Sequence, residues 1–265
     1  MERMISLTGN SFYVPVKTGN DEHLVEFFVR KKSGERVKIY EFKIPIDISH
    51  RGEYVPDYFV CLPLNGIKGT DLIISCDAGT DFLESVSFKK PEAFSEPERR
   101  PAIHMTPEHG WSNDPNGLIL DDGVYHFYYQ YNPFNIVWGN MCWGHAISED
   151  LIHWKQEPAV LYPDEDGTMF SGSAIANDRK LLKAKRDALI YFYTCAGNND
   201  WSRGKGFDQR IAISRDHGKT LQKTGIICLP EMEKENRDPK VFWHDESGAY
   251  IMVLFLAGND FGIYR

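Results

Sequence analysis

The sequence lacks the cysteine pattern of a disulfide framework or of a zinc site. Its five cysteines are far apart, odd in number and form no Cys-x-x-Cys pair. Both kinds of site depend on paired or closely spaced thiols. We therefore expect no cysteine-bound metal, and we expect most of these thiols to be buried in strands. The cysteines are Cys61, Cys76, Cys142, Cys195 and Cys228.

An excess of positive charge and a long apolar run are also missing. The formal net charge is −8, which argues against nucleic acid or an acidic membrane as a partner. No apolar run approaches the roughly 18 residues of a membrane helix. The segment Met1–Asn20 lacks the charged start and apolar core of a signal peptide. As written, the sequence predicts a cytoplasmic protein, or a secreted or periplasmic one if a leader was removed.

The N-terminal third of the chain contains no convincing helix pattern. It contains six short segments rich in Val, Ile, Phe and Tyr, with turn signals such as Lys32-Ser33-Gly34 between them. Six strands predict a β-sandwich. Because no cluster of titratable groups occurs here, we favour a packing or accessory domain over a sugar-binding module. The predicted strands are Phe12–Lys17, Leu24–Lys31, Arg36–Ile46, Tyr58–Leu64, Asp71–Asp77 and Ser85–Phe88.

A proline-containing charged segment follows, from Lys89 to Ile103. Pro91, Pro97 and Pro101 favour an extended linker. We therefore predict a domain boundary here, with an accessory domain over residues 1–97 and a second domain over residues 98–265.

The second domain repeats itself. Three aromatic or apolar segments, Val124–Gln130, Ala188–Thr194 and Ala249–Phe255, follow one another at nearly equal spacing. Ala146–Asp150 also resembles Ala212–Asp216 at almost the same offset. Repeated all-β units predict propeller blades. The period is longer than the roughly 40–50 residues of common propeller repeats, so the connecting loops should be long and able to carry a site.

Polar motifs occur at the same point of three successive repeats. Asn113-Asp114, Phe170-Ser171 and Arg237-Asp238 each precede a predicted inner strand. In a propeller this point lies near the central axis, so the three motifs should converge on one funnel.

The first motif lies in the stretch Trp111–Gly117. Pro115 restricts its own φ and keeps Asp114 out of the helical region. Asn116 and Gly117 tolerate positive φ. These residues predict a stiff turn that holds Asp114 at the mouth of a strand, although an ordinary surface turn would have the same composition.

Two carboxylates facing each other across a pocket suggest retaining glycoside chemistry, which needs a nucleophile and an acid about 5–5.5 Å apart. Asp114 is the candidate nucleophile, oriented by Asn113. Arg237 beside Asp238 should favour the ionised carboxylate, which suits sugar binding or charge stabilisation better than acid work. The alternative for Arg237-Asp238-Pro239 is a structural turn.

Many motifs from His104 to Arg265 together closely resemble glycoside hydrolase family 32, which contains invertases, levanases and inulinases. The residues before Pro97 are similar, more loosely, to the β-sandwich of some bacterial levanase-like members. The motifs are His104–Gly117, Gln130-Tyr131-Asn132-Pro133, Trp138-Gly139, Trp143-Gly144-His145-Ala146, Ser148–Leu151 with Trp154, Phe170–Ser173 and Arg237–Lys240.

The resemblance implies a five-bladed propeller, usually followed by a C-terminal β-sandwich. It implies retaining hydrolysis of β-fructofuranosyl bonds in sucrose, levan or inulin, without metal or cofactor. Asp114 matches the nucleophile and Asp238 the transition-state stabiliser that binds fructose hydroxyls. Positions that line the sugar subsite are matched by Asn113, Gln130, Trp138, Phe170, Ser171 and Arg237.

The sequence departs from the family in one respect. The family's general acid is a Glu in a Glu-Cys motif after the Arg-Asp-Pro motif, and this chain has no Glu-Cys pair. Residues 104–265 amount to about two and a half repeats, whereas five would need roughly 300 residues. We therefore expect an incomplete propeller, inactive alone, whose partners include the missing C-terminal part or a second copy of the chain. Glu231, Glu233 and Glu235 fit a solvated loop better than an acid.

Two hypotheses follow. The first is a retaining β-fructosidase whose N-terminal part is this chain. The second is a non-catalytic fructan-binding or vestigial protein that kept the pocket lining. Neither chain-length preference nor exo versus endo attack is fixed by these residues.

Overall fold

The computed structural model describes residues 1–49, 54–92, 101 and 103–265, and they form two compact units. The first unit contains the described residues up to 92, together with Glu108–Trp111 and Asn132–Asn140. The second contains Ser112–Tyr131 and Met141–Arg265, together with the described part of 101–107. The predicted boundary between residues 97 and 98 lies outside the described residues and stays a prediction. Within the described ranges, no helix has the length and apolar character needed to cross a membrane.

The first unit consists of two antiparallel sheets and one short helix, α1 (Thr80–Ser85). Four strands form one sheet in the order β1-β6-β3-β4, and β2 pairs with β5 in the other. The strands are β1 (Glu2–Ser6), β2 (Ser11–Val16), β3 (Glu22–Arg30), β4 (Arg36–Pro45), β5 (Tyr58–Pro63) and β6 (Asp71–Cys76).

Strand alternation explains how this unit forms its core. Val25, Phe27 and Val29 of β3 are fully buried, and the residues between them are partly exposed, because successive side chains of a strand point to opposite faces. The ring of Phe27 lies 5.2 Å from that of Phe12 on β2. The apolar faces of the two sheets therefore pack against each other, as the predicted sandwich requires.

The predicted strands of this unit are confirmed except for Ser85–Phe88. Ser85 ends the helix, and Ser87 makes only a single bridge to Tyr13. The strand prediction there was wrong because such a short run of apolar and polar residues cannot distinguish a strand from the end of a short helix. The first strand, Glu2–Ser6, and the helix itself were not predicted.

Residues 132–140, which connect two strands of the second unit along the chain, pack within the first unit. Phe134 is fully buried, with its ring 4.6 Å from that of Phe42. The Asn140 side chain accepts a hydrogen bond from the backbone N–H of Lys43 at 2.9 Å and donates one to the backbone carbonyl of Lys43 at 2.7 Å. Trp138 in this segment is 54% exposed.

The second unit contains three successive antiparallel sheets, ordered β10-β9-β8-β7, β11-β12-β13-β14 and β15-β16-β17. In each sheet the strands follow one another along the chain, as in the blades of a propeller. The strands are β7 (Trp111–Asp121), β8 (Val124–Asn132), β9 (Cys142–Ser148), β10 (Lys155–Leu161), β11 (Thr168–Ala176), β12 (Leu189–Ala196), β13 (Phe207–Ser214), β14 (Gln222–Leu229), β15 (Arg237–His244), β16 (Ala249–Phe255) and β17 (Phe261–Tyr264).

The sequence repeat is confirmed as a structural repeat. The three repeated segments form β8, β12 and β16, which are the second strands of their sheets. The predicted all-β architecture is likewise confirmed, since in the part of the chain that the structure describes the elements other than α1 are antiparallel strands. The number of five blades stays a prediction.

Large aromatic side chains fill the core of the second unit. Tyr128, Trp143 and Tyr191 are fully buried, and the rings of Tyr128 and Tyr191 meet edge to face at 5.2 Å. Cys142 and Cys195 are also buried, as is Cys76 of the first unit. Cys61 and Cys228 are exposed, and all five thiols are free. The expectation of buried thiols in strands therefore holds for most of them.

Candidate active site

Asp114 lies inside a strand, so the predicted turn at Trp111–Gly117 was wrong. The backbone runs as one strand through Asp114, with positive φ (+50°) only at Gly117 and not at Asn116. A Cβ on Gly117 would lie 3.0 Å from Trp143 and Tyr128. Glycine is therefore needed both for its backbone conformation and for the close packing of the aromatic core.

A buried hydrogen-bond network supports Asp114. The Ser171 hydroxyl donates to Asp114 Oδ2 at 2.9 Å. The side-chain amide of Asn116 is oriented so that its nitrogen and its oxygen both have partners. Its nitrogen donates to Ser171 Oγ at 3.2 Å, and its oxygen accepts from Gln130 Nε2 at 2.9 Å. Gln130 Nε2 also donates to the Met169 carbonyl at 2.9 Å. Asn116, Gln130 and Ser171 are all buried, whereas Asp114 is exposed. An ordered, buried network therefore supports an accessible carboxylate.

The segment Phe170–Ser173 connects the first sheet to the third. Ser171 bonds Asp114 on β7, and two residues later Ser173 donates to the Pro239 carbonyl of β15 at 2.7 Å. Ser173 also accepts from the Val241 N–H at 2.9 Å. The pairing of β11 with β12 is irregular between Met169 and Gly172, and β11 contacts both β7 and β15 near their starts. The strands that carry the three motifs are thus in contact, and their convergence on one funnel stays a prediction.

Asp238 occupies an unusual backbone conformation. Its φ is +65°, in the left-handed region that non-glycine residues adopt rarely and at a cost of about 1–3 kcal/mol. Its N–H donates to the Thr194 hydroxyl at 3.1 Å. Such strain is found where the surrounding structure fixes a residue, often at functional sites.

The charge environment of Asp238 corrects one expectation from the sequence. Arg237 Nε lies 3.7 Å from Asp238 Oδ2 and favours the ionised form, as expected. Burial nevertheless dominates and raises the pKa of Asp238, Arg237 opposes that rise, and the negative charge of Asp114 adds to it. The side chain is 45% exposed, but the protein atoms around it displace enough water to disfavour the charged carboxylate.

The other predicted lining residues differ in accessibility. Arg237 places its guanidinium 4.4 Å from the centre of the Phe255 ring. Phe170 meets the Phe207 ring edge to face at 5.5 Å. Asn113 is exposed. Trp138 belongs to the first unit, and its role in lining the sugar subsite stays a prediction. Glu231, Glu233 and Glu235 are exposed between strands, as expected for a solvated loop.

Three buried residues near Asp238 were not predicted: Thr194, Gln209 and Asn236. Each is fully buried, and together they form a hydrogen-bonded cluster. A signal existed for Thr194, because it stands in its repeat where Gln130 stands in the preceding one. No comparable signal identifies Gln209 or Asn236. In the residues that the structure describes, no group of three or more His, Cys, Asp or Glu side chains could hold a metal ion.

Residues 104–264 match the model of the glycosyl hydrolases family 32 N-terminal domain. The chain is 42% identical over 177 residues to the levanase of Bacillus subtilis (strain 168), a match that covers 65% of the chain and 25% of the levanase. It is 40% identical over 174 residues to the fructan beta-fructosidase of Streptococcus mutans, covering 62% of the chain and 11% of that protein. The chain thus spans a quarter or less of these relatives.

Solved structures of propeller enzymes are also similar to this chain. The fructofuranosidase of Schwanniomyces occidentalis complexed with fructose is 36% identical, with a TM-score of 0.53 over 58% of the chain and 31% of that structure. The exo-inulinase of Aspergillus awamori is 35% identical, with a TM-score of 0.52 over 61% of the chain and 36% of that structure. The propeller class predicted for the second unit is thereby confirmed.

Proposed function

The chain belongs to glycoside hydrolase family 32, and on that premise we propose that it contributes the nucleophile and the fructose-binding carboxylate of a retaining β-fructofuranosidase. The observation that carries the proposal is the meeting of three sheets around two interacting carboxylates. Asp114 is exposed and bonded to Ser171, and its negative charge adds to the rise that burial causes in the pKa of Asp238. A retaining mechanism requires one carboxylate ready to attack the anomeric carbon.

Asp114 is proposed as the nucleophile. One of its oxygens forms a bond to the anomeric carbon of the fructosyl unit while the bond from that carbon to the leaving oxygen breaks. The hydrogen bond from Ser171 at 2.9 Å supports this assignment because it fixes the rotation of the carboxylate. Water then cleaves the fructosyl ester and restores Asp114.

Asp238 is proposed to bind fructose hydroxyls and to stabilise the positively charged transition state. Its side chain is accessible, and its left-handed backbone holds it in one direction. Asn113, Gln130, Phe170, Ser171 and Arg237 are proposed to act around it, Gln130 from a buried position beneath the surface.

The proposed substrates are fructose-containing oligosaccharides or polysaccharides. The similar proteins include a levanase, a fructan beta-fructosidase, invertases and exo-inulinases. Similar solved structures are complexed with fructose and with fructosyl-erythritol. These names support the fructosyl unit as the common element and leave open what it is attached to.

The residues of this chain do not include the expected general acid. It contains no Glu-Cys pair, and general acid catalysis contributes about 10²–10⁴-fold. We therefore expect the purified chain to release almost no fructose from sucrose or levan. Strong hydrolysis by that chain, abolished in Asp114→Ala, would overturn this expectation.

A fructosyl donor with a leaving group that needs no proton tests the nucleophile without the acid. β-Fructofuranosyl fluoride should transfer its fructosyl unit to Asp114 as fluoride departs. Intact-mass spectrometry should show a gain of one fructosyl unit, and peptide mapping should locate it on Asp114. The matched control Asp114→Asn should gain nothing. If wild-type chain binds fructose yet forms no adduct, the chain is a fructan-binding protein and Asp114 is not a nucleophile.

A further inference from the structure

The backbone at Asp238 is held from two sides by side chains of the neighbouring sheet. Its N–H donates to Thr194 Oγ1 at 3.1 Å. The Thr194 hydroxyl in turn donates to Gln209 Oε1 at 2.6 Å. Gln209 Nε2 then donates to the carbonyl of Asn236 at 3.1 Å. The two anchored backbone groups, the Asn236 carbonyl and the Asp238 N–H, lie on either side of Arg237.

Strand pairing fixes the geometry of this contact. Thr194 on β12 and Gln209 on β13 are direct cross-strand partners, so their side chains lie on the same face of the second sheet. Both side chains are fully buried. Their polar atoms therefore have no water to bond and depend on one another and on the backbone groups beside Arg237.

Asn236 completes the cluster. Its Nδ2 donates to the Phe207 carbonyl at 3.0 Å, and its Oδ1 accepts from the Met232 N–H at 2.7 Å and from the Glu233 N–H at 3.2 Å. Gln209 Nε2 also donates to the Phe207 carbonyl, at 3.2 Å. The chain entering β15 is thus fixed before it reaches Arg237.

The repeat gives independent support for this role. Thr194 stands one repeat after Gln130 and occupies the same place near the end of the second strand of its sheet. Gln130 bonds Asn116 of its own sheet and the Met169 carbonyl of the next sheet. Thr194 bonds Gln209 of its own sheet and the Asp238 N–H of the next sheet. Successive blades use the same position to hold the strand that carries a motif of the site.

We propose that Thr194, Gln209 and Asn236 are positioning residues that hold Asp238 in its left-handed conformation and thereby set the direction of its carboxylate. The proline after Asp238 favours an extended backbone at Asp238, so the left-handed conformation depends on these contacts. Without the hydrogen bond to Thr194, the strained φ of +65° should relax to an extended conformation and turn the carboxylate away. The geometric part of the inference stands on its own, and its consequence for fructose rests on the proposed function.

Thr194→Val tests the proposal because valine has the shape of threonine without the hydroxyl. In the wild-type chain we expect the Asp238 amide to exchange slowly with deuterium when followed by NMR. In Thr194→Val that exchange should accelerate about ten-fold or more, as expected for loss of a buried hydrogen bond. The affinity for fructose should fall by about the same factor, and Thr194→Ser should restore both.

Thr168→Val provides the matched control. Thr168 is buried in the same sheet, and its hydroxyl bonds Asn198 at 2.6 Å and not Asp238. The Thr168→Val variant should lower the melting temperature and leave the exchange rate of the Asp238 amide and the fructose affinity unchanged. Equal effects of the two variants on affinity would reduce Thr194 to an ordinary stabilising residue and overturn the proposal.

The amide measurement separates this inference from the proposed function. A protected Asp238 amide in a wild-type chain that does not bind fructose would contradict the proposed function and leave the positioning intact. Fast exchange of that amide in the wild-type chain would overturn the positioning whatever the sugar does, even if Thr194→Val fails to fold.

Discussion

At the scale of single residues, the two carboxylates of the site differ in how they are held. Asp114 is fixed through its side chain by Ser171, and Asp238 through its backbone by Thr194. Both supports are buried hydroxyls, each bonded to a further buried amide side chain. Buried hydroxyls and amides that satisfy one another fix a geometry more strictly than exposed pairs do, because any other arrangement leaves a polar group unpaired.

The raised pKa of Asp238 gives a prediction at this scale. Its carboxyl should titrate above the ordinary value of 3.8 because burial and the Asp114 charge favour the neutral form. As pH falls, Asp238 should therefore take up its proton earlier than an exposed aspartate. Carboxyl carbon NMR of the labelled chain measures the midpoint directly.

Two variants separate the causes of that shift. Asp114→Asn removes a negative neighbour and should lower the pKa of Asp238, whereas Arg237→Gln removes a positive one and should raise it further. A midpoint in the wild-type chain at or below 3.8 would mean that Arg237 outweighs burial, as the sequence alone had suggested.

At the scale of secondary-structure elements, β11 connects the two carboxylate-bearing strands. Ser171 faces β7 and Ser173 faces β15, with Gly172 between them. A Cβ on Gly172 would collide with the carbonyl of Phe192 on β12. The spacing Ser-Gly-Ser therefore combines two hydrogen-bonding contacts with the close approach of a neighbouring strand.

Ser173→Ala should destabilise the second unit without touching either carboxylate. The change leaves the Val241 N–H and the Pro239 carbonyl without their partner, at an expected cost of about 1–3 kcal/mol in the free energy of unfolding. Urea unfolding of the whole chain measures it. Ser33→Ala, at an exposed serine of the first unit, serves as the control, and a loss no larger than the control's would contradict the contact between β11 and β15.

At the scale of the whole molecule, a buried histidine makes stability sensitive to acid. His145 is almost fully buried, stacks on Tyr128 at 4.3 Å and lies 3.0 Å from His126. Burial, with a smaller contribution from the neighbouring His126, lowers the pKa of His145 to about 3, and Asp216 opposes both effects. The unfolded chain protonates this histidine near its ordinary pKa of 6.5, while the folded chain keeps it neutral.

The sign of the pH dependence follows from proton uptake. Between pH 6.5 and about 3 the unfolded state binds more protons at His145, so stability falls as pH falls through that window. The slope from this one group should approach about 1.4 kcal/mol per pH unit. His145→Gln should flatten the acid limb of a stability–pH curve measured by urea unfolding. His104→Gln, at an exposed site, should not; equal curves for both variants would contradict the assignment.

The sequence by itself determined the all-β architecture and the repeat positions of the candidate site residues. Alternating apolar residues and repeated aromatic strands are local patterns, and they can be recognised without knowing which other strands they pack against. For that reason β3, β8, β12 and β16 were predictable, and so was the place of Asp114, Ser171 and Asp238 at equivalent points of the repeat.

Only the tertiary structure decided how these residues are held and charged. Ser171 is 57 residues from Asp114 in the chain, and Thr194 is 44 residues from Asp238. The positive φ of Asp238 and the balance between its burial and Arg237 depend on such distant neighbours. No local pattern encodes them, because burial and hydrogen-bond partners arise only when separate sheets pack together.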